Sequence, residues 1–398
     1  MRAVIVGAGV CGPVAAMALQ RAGIDAAVFE ARPKVGEEGS YLTVASNGLD
    51  ALRAIDAHGP VMAAGFPTSS TMMVSGSGKR LGRVPIGSTR GGRDASHTIK
   101  RSNLHHALHQ EAMTRGVPIA FGKRLRGAEP AGVGIRALFE DGSDAVGDVL
   151  IGCDGVHSAV RRLIDPHAPE PRYVGLLNFG GYTSRVTQGE PGTWQMIFGA
   201  RAFFGYVADP AGGTVWFANV PRHPVSRIEW EQTTADEWRS WLIELFAGDK
   251  GPAAELIASG ALQLMGDNTH DLPSVPTWHR VPLIVIGDAA HAPSPSSGQG
   301  ASLAIEDGVV LAQCLRDVPD IGRACATFDQ LRRGRVERIV AQGARSSSSK
   351  AAGPLGRILR DRALPLVFRY LVTERSQAWI YEHHLDWNQH ADAGRRVA

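Results

Sequence analysis

The sequence predicts an α/β fold, and three features of the 398-residue chain support this prediction. Near the N-terminus a short apolar, β-branched run at residues 3–6 leads through glycines into a helical pattern. Residues 172–220 contain a series of short strand-like segments with a hairpin turn. A second apolar run at residues 283–286 again leads into a helical pattern. This order predicts a parallel-sheet domain with an antiparallel sheet inserted in it.

The amino-acid composition and net charge do not indicate a macromolecular partner. The apolar fraction is 44%, the charged fraction is 20% and the net charge is only +3, which are ordinary values for a folded protein. Residues 331–369 hold ten Lys/Arg and two Asp/Glu, and we interpret this segment as a solvated helix face or as a weak attraction for an anionic cofactor. No aromatic residues alternate with Arg332, Arg333, Arg335 and Arg338, so no nucleic-acid partner is expected.

Cysteine use and hydropathy predict a cytoplasmic protein without metal or disulfides. The four cysteines show no C-x-x-C spacing and no Cys/His cluster. The first 20 residues imitate a signal peptide, but their glycines and the acidic residue that follows argue against one. No apolar run reaches the ~18 residues of a membrane span. A monomer or a homodimer is expected.

The first 30 residues carry a dinucleotide-binding pattern, in which a strand, G-x-G-x-x-G, a helix and a second strand lead to an acid. Gly7 would make the tight turn, Gly9 would let the backbone approach a pyrophosphate, and Gly12 would let helix and strand pack closely. The phosphates are expected at the helix N-terminus, where free N–H groups favour negative charge. Glu30 stands where a carboxylate can bind a ribose hydroxyl. The pattern predicts FAD or NAD and does not choose between them.

Two later motifs match a known family. Residues 152–161 read GCDGVHSAVR, and residues 287–300 read GDAAHAPSPSSGQG. With the N-terminal pattern they make the chain similar to the group A flavoprotein monooxygenases, the salicylate-hydroxylase-like FAD-dependent aromatic hydroxylases. The order and spacing match from residue 1 to about residue 340, and residues 379–387 resemble the family's tail.

The resemblance implies a fold and a reaction. The fold is a Rossmann-like FAD-binding domain of the GR2 type, formed by residues 1–170 and 271–345, with an antiparallel substrate-binding sheet at 171–270 and a C-terminal helical region at 346–398. In the reaction NADH or NADPH reduces the flavin, and O2 adds at C4a to give a hydroperoxide. One oxygen atom is then transferred to an aromatic carbon or an alkene, with the cofactor supplying the chemistry.

The resemblance also assigns residues to FAD. Arg32 and Arg101 would meet the pyrophosphate or the ribose edge, Leu125 would offer its backbone to adenine, and Asp288 would bind a ribitol hydroxyl. Backbone around Pro295 would face the C4a–N5 edge, so Pro295 is the predicted catalytic position. The predicted cofactor-contacting residues are Gly7, Gly9, Val10, Cys11, Gly12, Glu30, Arg32, Arg101, Leu125, Asp154, Arg161, Asp288, Pro295, Gly298, Gln299, Gly300 and Ala301. In the family, His291 is more often structural than catalytic.

The loop at 287–300 has the residue types that a flavin site needs. Pro293 and Pro295 fix φ and stiffen it, while Gly298 and Gly300 let the backbone pass close to a flat ring. A helix is predicted to begin near Gln299. Its N-terminus would stabilise negative charge on reduced flavin by roughly 0.3–2 kcal/mol.

Residues 172–220 are the predicted substrate-binding sheet. Gln195, Phe204 and Trp216 are the predicted substrate contacts. Strand alternation places Phe203 and Phe204 on opposite faces, and the sequence does not say which face lines the cavity. Some family members grip a substrate carboxylate with an arginine after the second strand. The stretch at 36–41, GEEGSY, has no arginine, so a larger, mostly apolar aromatic substrate is expected.

Two other functions remain open from the sequence. A flavin-dependent halogenase would resemble the FAD-binding fold, but its W-x-W-x-I-P stretch does not occur in this sequence. An accessory flavoprotein would bind an intermediate without oxidising it. Intact motifs do not distinguish such a protein from a monooxygenase.

Overall fold

The computed structural model describes residues 1–36, 39–187, 189–348 and 354–391, so Glu37 and Glu38 of the stretch at 36–41 lie outside the described residues. The strands are β1 (Arg2–Val6), β2 (Asp25–Glu30), β3 (Tyr41–Val44), β4 (Phe66–Pro67), β5 (Ser70–Ser75), β6 (Arg80–Pro85), β7 (His97–Lys100), β8 (Ile119–Phe121), β9 (Leu125–Ala131), β10 (Gly134–Phe139), β11 (Asp144–Gly147), β12 (Val149–Gly152), β13 (Arg172–Thr183), β14 (Thr193–Phe198), β15 (Phe203–Ala208), β16 (Thr214–Pro221), β17 (Ala261–Asp271), β18 (His279–Arg280) and β19 (Leu283–Val285). The helices are α1 (Cys11–Arg21), α2 (Ser46–Ala54), α3 (His58–Ala63), α4 (Arg101–Thr114), α5 (Ala159–Ile164), α6 (Arg227–Gln232), α7 (Ala235–Phe246), α8 (Ala253–Ala258), α9 (Gly300–Asp317), α10 (Ile321–Ser348), α11 (Pro354–Tyr370) and α12 (Glu374–Tyr381).

The central sheet has the order β18–β19–β12–β1–β2–β8 and is parallel from β19 to β8. Its apolar strands are buried, as the fully buried residues Ile5, Val28 and Ile151 show. Parallel strands bring their carboxyl ends to one edge of a sheet. The loops after β1, β12 and β19, which carry the three sequence motifs, therefore meet at this edge, where α/β folds bind their ligands.

The second large sheet, which was predicted to bind the substrate and is called the substrate sheet for that reason, has the order β17–β13–β16–β15–β14–β5–β6. Its neighbours are antiparallel except β14 and β5, which are parallel. The predicted hairpin between β15 and β16 is present. Strands β5 and β6 come from before residue 171, so this sheet draws on both sides of that predicted domain boundary.

The substrate sheet has two different faces. Its outer face is covered by α7, which begins with a capping box formed by Thr234 and Glu237 and buries Trp238, Leu242 and Phe246. Its inner face turns toward a small sheet of β3, β7 and β4 in the N-terminal part. The indole Nε1 of Trp194 donates to Thr98 Oγ1 over 3.0 Å across this boundary.

The C-terminal helices pack back onto both sheets. Gly343 of α10 lies against Ser297 of the predicted flavin loop, and Phe368 of α11 lies against Gly82 of β6. Beyond α11, Ile380 and Trp387 are buried in the core of the N-terminal part. None of the helices in the described ranges is both long enough and apolar enough to cross a membrane.

Candidate functional site

The turn after β1 contains three glycines: protein backbone leaves no room for a side chain at Gly7 and Gly12, whereas Gly9 borders open space. Gly7 has a φ of +102°, and a Cβ there would lie 2.4 Å from Cys153 O. A Cβ at Gly12 would lie 2.0 Å from Gly7 O, so the protein's own backbone requires both glycines. At Gly9 no described heavy atom lies within 4 Å of a Cβ position. Gly9 therefore borders open space, where a ligand can approach the backbone.

Glu30 is held at the end of β2 by backbone donors. Its Oε2 accepts from Ala8 N over 2.7 Å and its Oε1 accepts from Arg32 N over 2.9 Å. Lys123 N donates to Glu30 O over 2.7 Å, which brings the segment before Leu125 beside Glu30. The three residues predicted to contact the adenosine half, Glu30, Arg32 and Leu125, thus lie in adjoining segments.

Helix α4 supports the glycine turn in a way that the sequence did not reveal. His109 is buried, and its Nε2 donates to Ala8 O. Burial, together with the charges of Arg101, His109 and Arg32, lowers the pKa of His105 to about 4. Arg32 and Arg101, which are predicted to meet the pyrophosphate or the ribose edge, therefore both lie near His105. The helical spacing of His105 and His109 was visible in the sequence, but their partner was not.

Asp154 and Arg161 have partners within the protein. The Asp154 carboxylate accepts from Ala159 N over 2.7 Å and from the Ser158 hydroxyl, and so caps α5. Arg161 is buried and donates through Nη1 to Ala289 O over 3.0 Å. These bonds hold the loop after β12 to the loop after β19. Direct contact of either residue with FAD stays a prediction.

Asp288 is exposed in the loop after β19, at the carboxyl edge of the central sheet. The space at this edge between the loops after β1, β12 and β19 is called the groove below. Desolvation is the largest cause that raises the pKa of its carboxyl, and Asp307 adds to it, while His291 and Arg101 act in the opposite direction. A Cβ on Gly300 would lie 3.9 Å from Asp288 Oδ1. The carboxylate therefore lies beside the N-terminus of α9.

The flavin loop forms an exposed turn followed by a buried residue. Pro295 begins a 3₁₀ turn, Pro295–Ser297, and Gly298 ends it in the left-handed region with a φ of +62°. Pro295 and Gly298 are exposed, while Gln299 is 1% exposed. The predicted catalytic position at Pro295 is therefore accessible, and its role stays a prediction.

The N-termini of α1 and α9 lie side by side. Cys11 Sγ donates to Ala304 O over 3.3 Å, and a Cβ on Gly308 would lie 3.0 Å from Ala15 N. In the part of the chain that the structure describes, the side chain of neither N-cap residue, Val10 or Gln299, accepts from the first N–H groups of its own helix. The first N–H groups of both helices are therefore available to an anionic ligand.

A buried ionic cluster of His291, Glu306, Asp307 and Arg332 supports the flavin loop, residues 287–300. The sequence interpretation did not identify this cluster. Asp307 accepts from Gly287 N over 2.9 Å and from Arg332 Nε over 2.7 Å, and its Oδ2 lies 2.6 Å from His291 Nε2. Glu306 pairs with Arg332 over 2.7 Å. Burial raises the pKa of Asp307, but His291 and Arg332 outweigh it and the pKa is lowered overall.

This cluster corrects one interpretation of the basic segment at 331–369. Arg332 is 1% exposed, so it does not belong to a solvated helix face. Its charge is instead placed between two buried carboxylates. His291 is also buried, and its pairing with Asp307 fits the structural role that the family resemblance implied.

The predicted substrate contacts lie on the outer face of the substrate sheet. Phe204 and Trp216 are fully buried there, and Phe204 packs edge-on to Phe246 of α7 at 5.3 Å between ring centroids. Gln195 alternates with Trp194 and so shares the outer face. The inner-face neighbours are apolar and aromatic: Trp194, Met196, Phe203, Val207, Val215 and Phe217. The structure therefore separates all three predicted contacts from the inner face.

Comparison with known proteins adds a family match. A family model described as "FAD binding domain" matches residues 1–342. The aurachin C monooxygenase/isomerase of Stigmatella aurantiaca is 30% identical over 346 residues, which cover 85% of this chain and 86% of that protein. The FAD-dependent urate hydroxylase of Klebsiella pneumoniae is 30% identical over 348 residues, which cover 85% of this chain and 88% of that protein.

A solved structure shows the same fold. The crystal structure of Klebsiella pneumoniae HpxO complexed with FAD and uric acid superposes with a TM-score of 0.81 and 28% identity, and covers 92% of this chain and 93% of that one. The residues present here fit such a cofactor. The open backbone at Gly9 and the two adjacent helix N-termini suit a pyrophosphate, and the exposed Asp288 carboxylate can accept a hydroxyl.

Proposed function

This chain belongs to the FAD-binding-domain family of flavoprotein monooxygenases, and from that membership we propose that it is an NAD(P)H-consuming enzyme that hydroxylates or epoxidises an apolar aromatic or polycyclic small molecule. When bound, FAD would take a hydride from NADH or NADPH and pass one atom of O2 to the substrate and the other to water. The observation that carries this proposal is the apolar inner face of the substrate sheet, which turns toward the cofactor-binding part.

The chain's own residues would bind and orient the cofactor. Glu30 would accept bonds from the ribose, and Asp288 would accept one from the ribitol chain. The N-terminus of α1 would receive the pyrophosphate, and that of α9 would stabilise negative charge on the reduced ring. Pro295 and Gly298 would present exposed backbone beside the ring. These contacts bind and orient, and no acid, base or nucleophile from the chain is required.

The inner face suits an apolar aromatic substrate. Trp194 and Phe217 pack against each other at 5.5 Å between ring centroids, and Tyr41 and Phe66 approach them from the small sheet. Aromatic rings attract other rings through dispersion and through their edges. We propose that this inner face, rather than Gln195, Phe204 and Trp216, contacts the substrate. The hydroxylase and monooxygenase names of the two relatives support the same reaction class.

A substrate screen tests this function. The FAD-loaded enzyme is mixed with NADH or NADPH and with a panel of fused-ring aromatics, and a matched panel carries carboxylates. We expect apolar members to accelerate NAD(P)H oxidation and to gain the mass of one oxygen atom. An accessory flavoprotein would show no acceleration by any compound, and a halogenase would require halide and yield a halogenated product.

A further inference from the structure

A C-terminal segment, residues 374–389, is held by two arginines, Arg335 of α10 and Arg316 of α9. At one end, Arg335 of α10 donates through Nη1 to Trp379 O over 2.6 Å and through Nη2 to Ile380 O over 2.8 Å. At the other end, Arg316 donates through Nη1 to Trp387 O over 2.6 Å. The segment therefore follows α9 from Glu306 to Arg316, and a guanidinium donates to backbone carbonyls at each end of this stretch.

The first of these arginines is connected to the flavin loop. Arg335 forms two bonds with Glu306, from Nε to Oε2 over 3.0 Å and from Nη2 to Oε1 over 2.8 Å. Glu306 Oε1 also accepts from Asn47 Nδ2 over 2.7 Å. The same amide donates to Gln299 Oε1 over 3.0 Å. Glu306 and Asn47 are fully buried, so these bonds are shielded from water.

The segment also reaches the flavin loop directly. Tyr381 is buried close to Gln299: burial raises the pKa of its hydroxyl to about 12, and the nearby Gln299 side chain acts in the opposite direction. Ser46, which adjoins Asn47, donates to Tyr381 O over 2.8 Å. The Nε2 of Gln299 is buried and has no hydrogen-bond partner among the described residues. The bond from Asn47 therefore positions the Gln299 side chain, and Ser46 links the same stretch of α2 to Tyr381.

Arg316 can serve as a matched control for Arg335. Arg316 lies in the last turn of α9 and pairs with the neighbouring Asp317, from Nε to Oδ1 over 2.6 Å. It holds the same C-terminal segment by the same kind of bond as Arg335. Its acidic partner, however, lies at the end of α9 remote from the flavin loop.

We infer that the segment 374–389 is a positioning part of the flavin site, and that Arg335 is the positioning residue that connects it through Glu306 and Asn47 to Gln299 at the start of α9. The inference rests on the proposed function only in that FAD binds in this groove. A correctly placed helix N-terminus stabilises an anion more than a neutral group. Loss of this placement should therefore weaken the binding of reduced FAD more than that of oxidised FAD.

The test compares Arg335→Lys with Arg316→Lys in the full chain. Lysine keeps the charge but loses the planar fork that holds two carbonyls and a carboxylate at once. Dissociation constants are measured for oxidised FAD and, under nitrogen with dithionite, for reduced FAD. We expect Arg335→Lys to weaken reduced FAD at least about threefold more than oxidised FAD, in line with the size of helix-terminus effects. Arg316→Lys should change both constants by the same factor.

Equal weakening of both FAD forms in Arg335→Lys would overturn the inference, because it would indicate a purely structural role. Tyr381→Phe provides a second variant should Arg335→Lys not fold. It keeps the ring packing, removes the hydroxyl beside Gln299, and should again affect the reduced form more. Wild-type protein that binds neither form of FAD would refute the proposed function itself, a result distinct from equal weakening.

Discussion

At the residue scale, Asp288 gives the most direct test of the cofactor groove. Its carboxyl faces the groove and can accept a hydroxyl of the ribitol chain. Asp288→Ala should weaken FAD binding by about 1.5–3 kcal/mol, the value of a hydrogen bond to a charged group. Fluorescence titration of the FAD-free protein measures this change. A variant with wild-type FAD affinity would remove Asp288 from the site.

The raised pKa of Asp288 gives a second prediction for the same residue. Desolvation first, and Asp307 next, make the carboxyl protonate at a higher pH than an ordinary Asp. The charged form is the better acceptor, so FAD affinity should fall as the pH falls through this raised pKa. Asp288→Asn cannot titrate and should bind FAD with less dependence on acidic pH. Identical pH profiles for the two proteins would contradict the assignment.

Glu30 tests the adenosine end of the groove. Both of its oxygens accept from backbone N–H groups, and Gln offers only one acceptor oxygen. Glu30→Gln should therefore purify with less FAD, and excess FAD should restore it by mass action. Absorbance of the purified protein measures the FAD content. Glu231→Gln, on the exposed side of α6, is the control and should retain the wild-type content.

At the element scale, substitutions at two glycines of the turn after β1 should affect different properties: Gly12 the stability of the fold, and Gly9 the binding of FAD. A Cβ at Gly12 would lie 2.0 Å from Gly7 O, so Gly12→Ala should destabilise the fold by roughly 1–3 kcal/mol or more. Gly9 borders open space and has no positive φ, so Gly9→Ala should leave the thermal stability of the FAD-free protein unchanged. It should still weaken FAD binding about tenfold or more, which needs only ~1.4 kcal/mol. Retention of full FAD affinity in Gly9→Ala would contradict a pyrophosphate at this turn.

The sequence predicted the elements better than it predicted their partners. The apolar run of β1 and the hairpin turn between β15 and β16 are local patterns, and both are confirmed. The pairing of β5 with β14 joins residues far apart in the chain, and no local pattern reveals it. The ion pairs of Arg332 with Glu306 and Asp307 were missed for the same reason. Strand alternation separated Phe203 from Phe204, but only the packing of α7 shows which face is outside.

At the scale of the whole molecule, the substrate sheet and the cofactor groove should respond to each other. The inner face rests on β3 and β7, and β3 leads into Asn47, which bonds to Gln299 of the flavin loop. Substrate bound at the inner face should therefore bias the position of the flavin by its differential affinity for two states. We expect substrate to accelerate flavin reduction by NAD(P)H at least about tenfold, a coupling of only ~1.4 kcal/mol. Anaerobic stopped-flow bleaching of the flavin band measures this rate, and equal rates with and without substrate would reject the coupling.

The oxygenase reaction itself is tested most directly by isotope incorporation. The FAD-loaded enzyme is supplied with NADH or NADPH, with a compound that accelerates its oxidation, and with ¹⁸O₂ in ordinary water. A monooxygenase should place one ¹⁸O atom in the product for each NAD(P)H used productively, and mass spectrometry measures that label. A product that carries oxygen from water, or NAD(P)H consumption that yields only hydrogen peroxide with every compound tested, would contradict the proposed function.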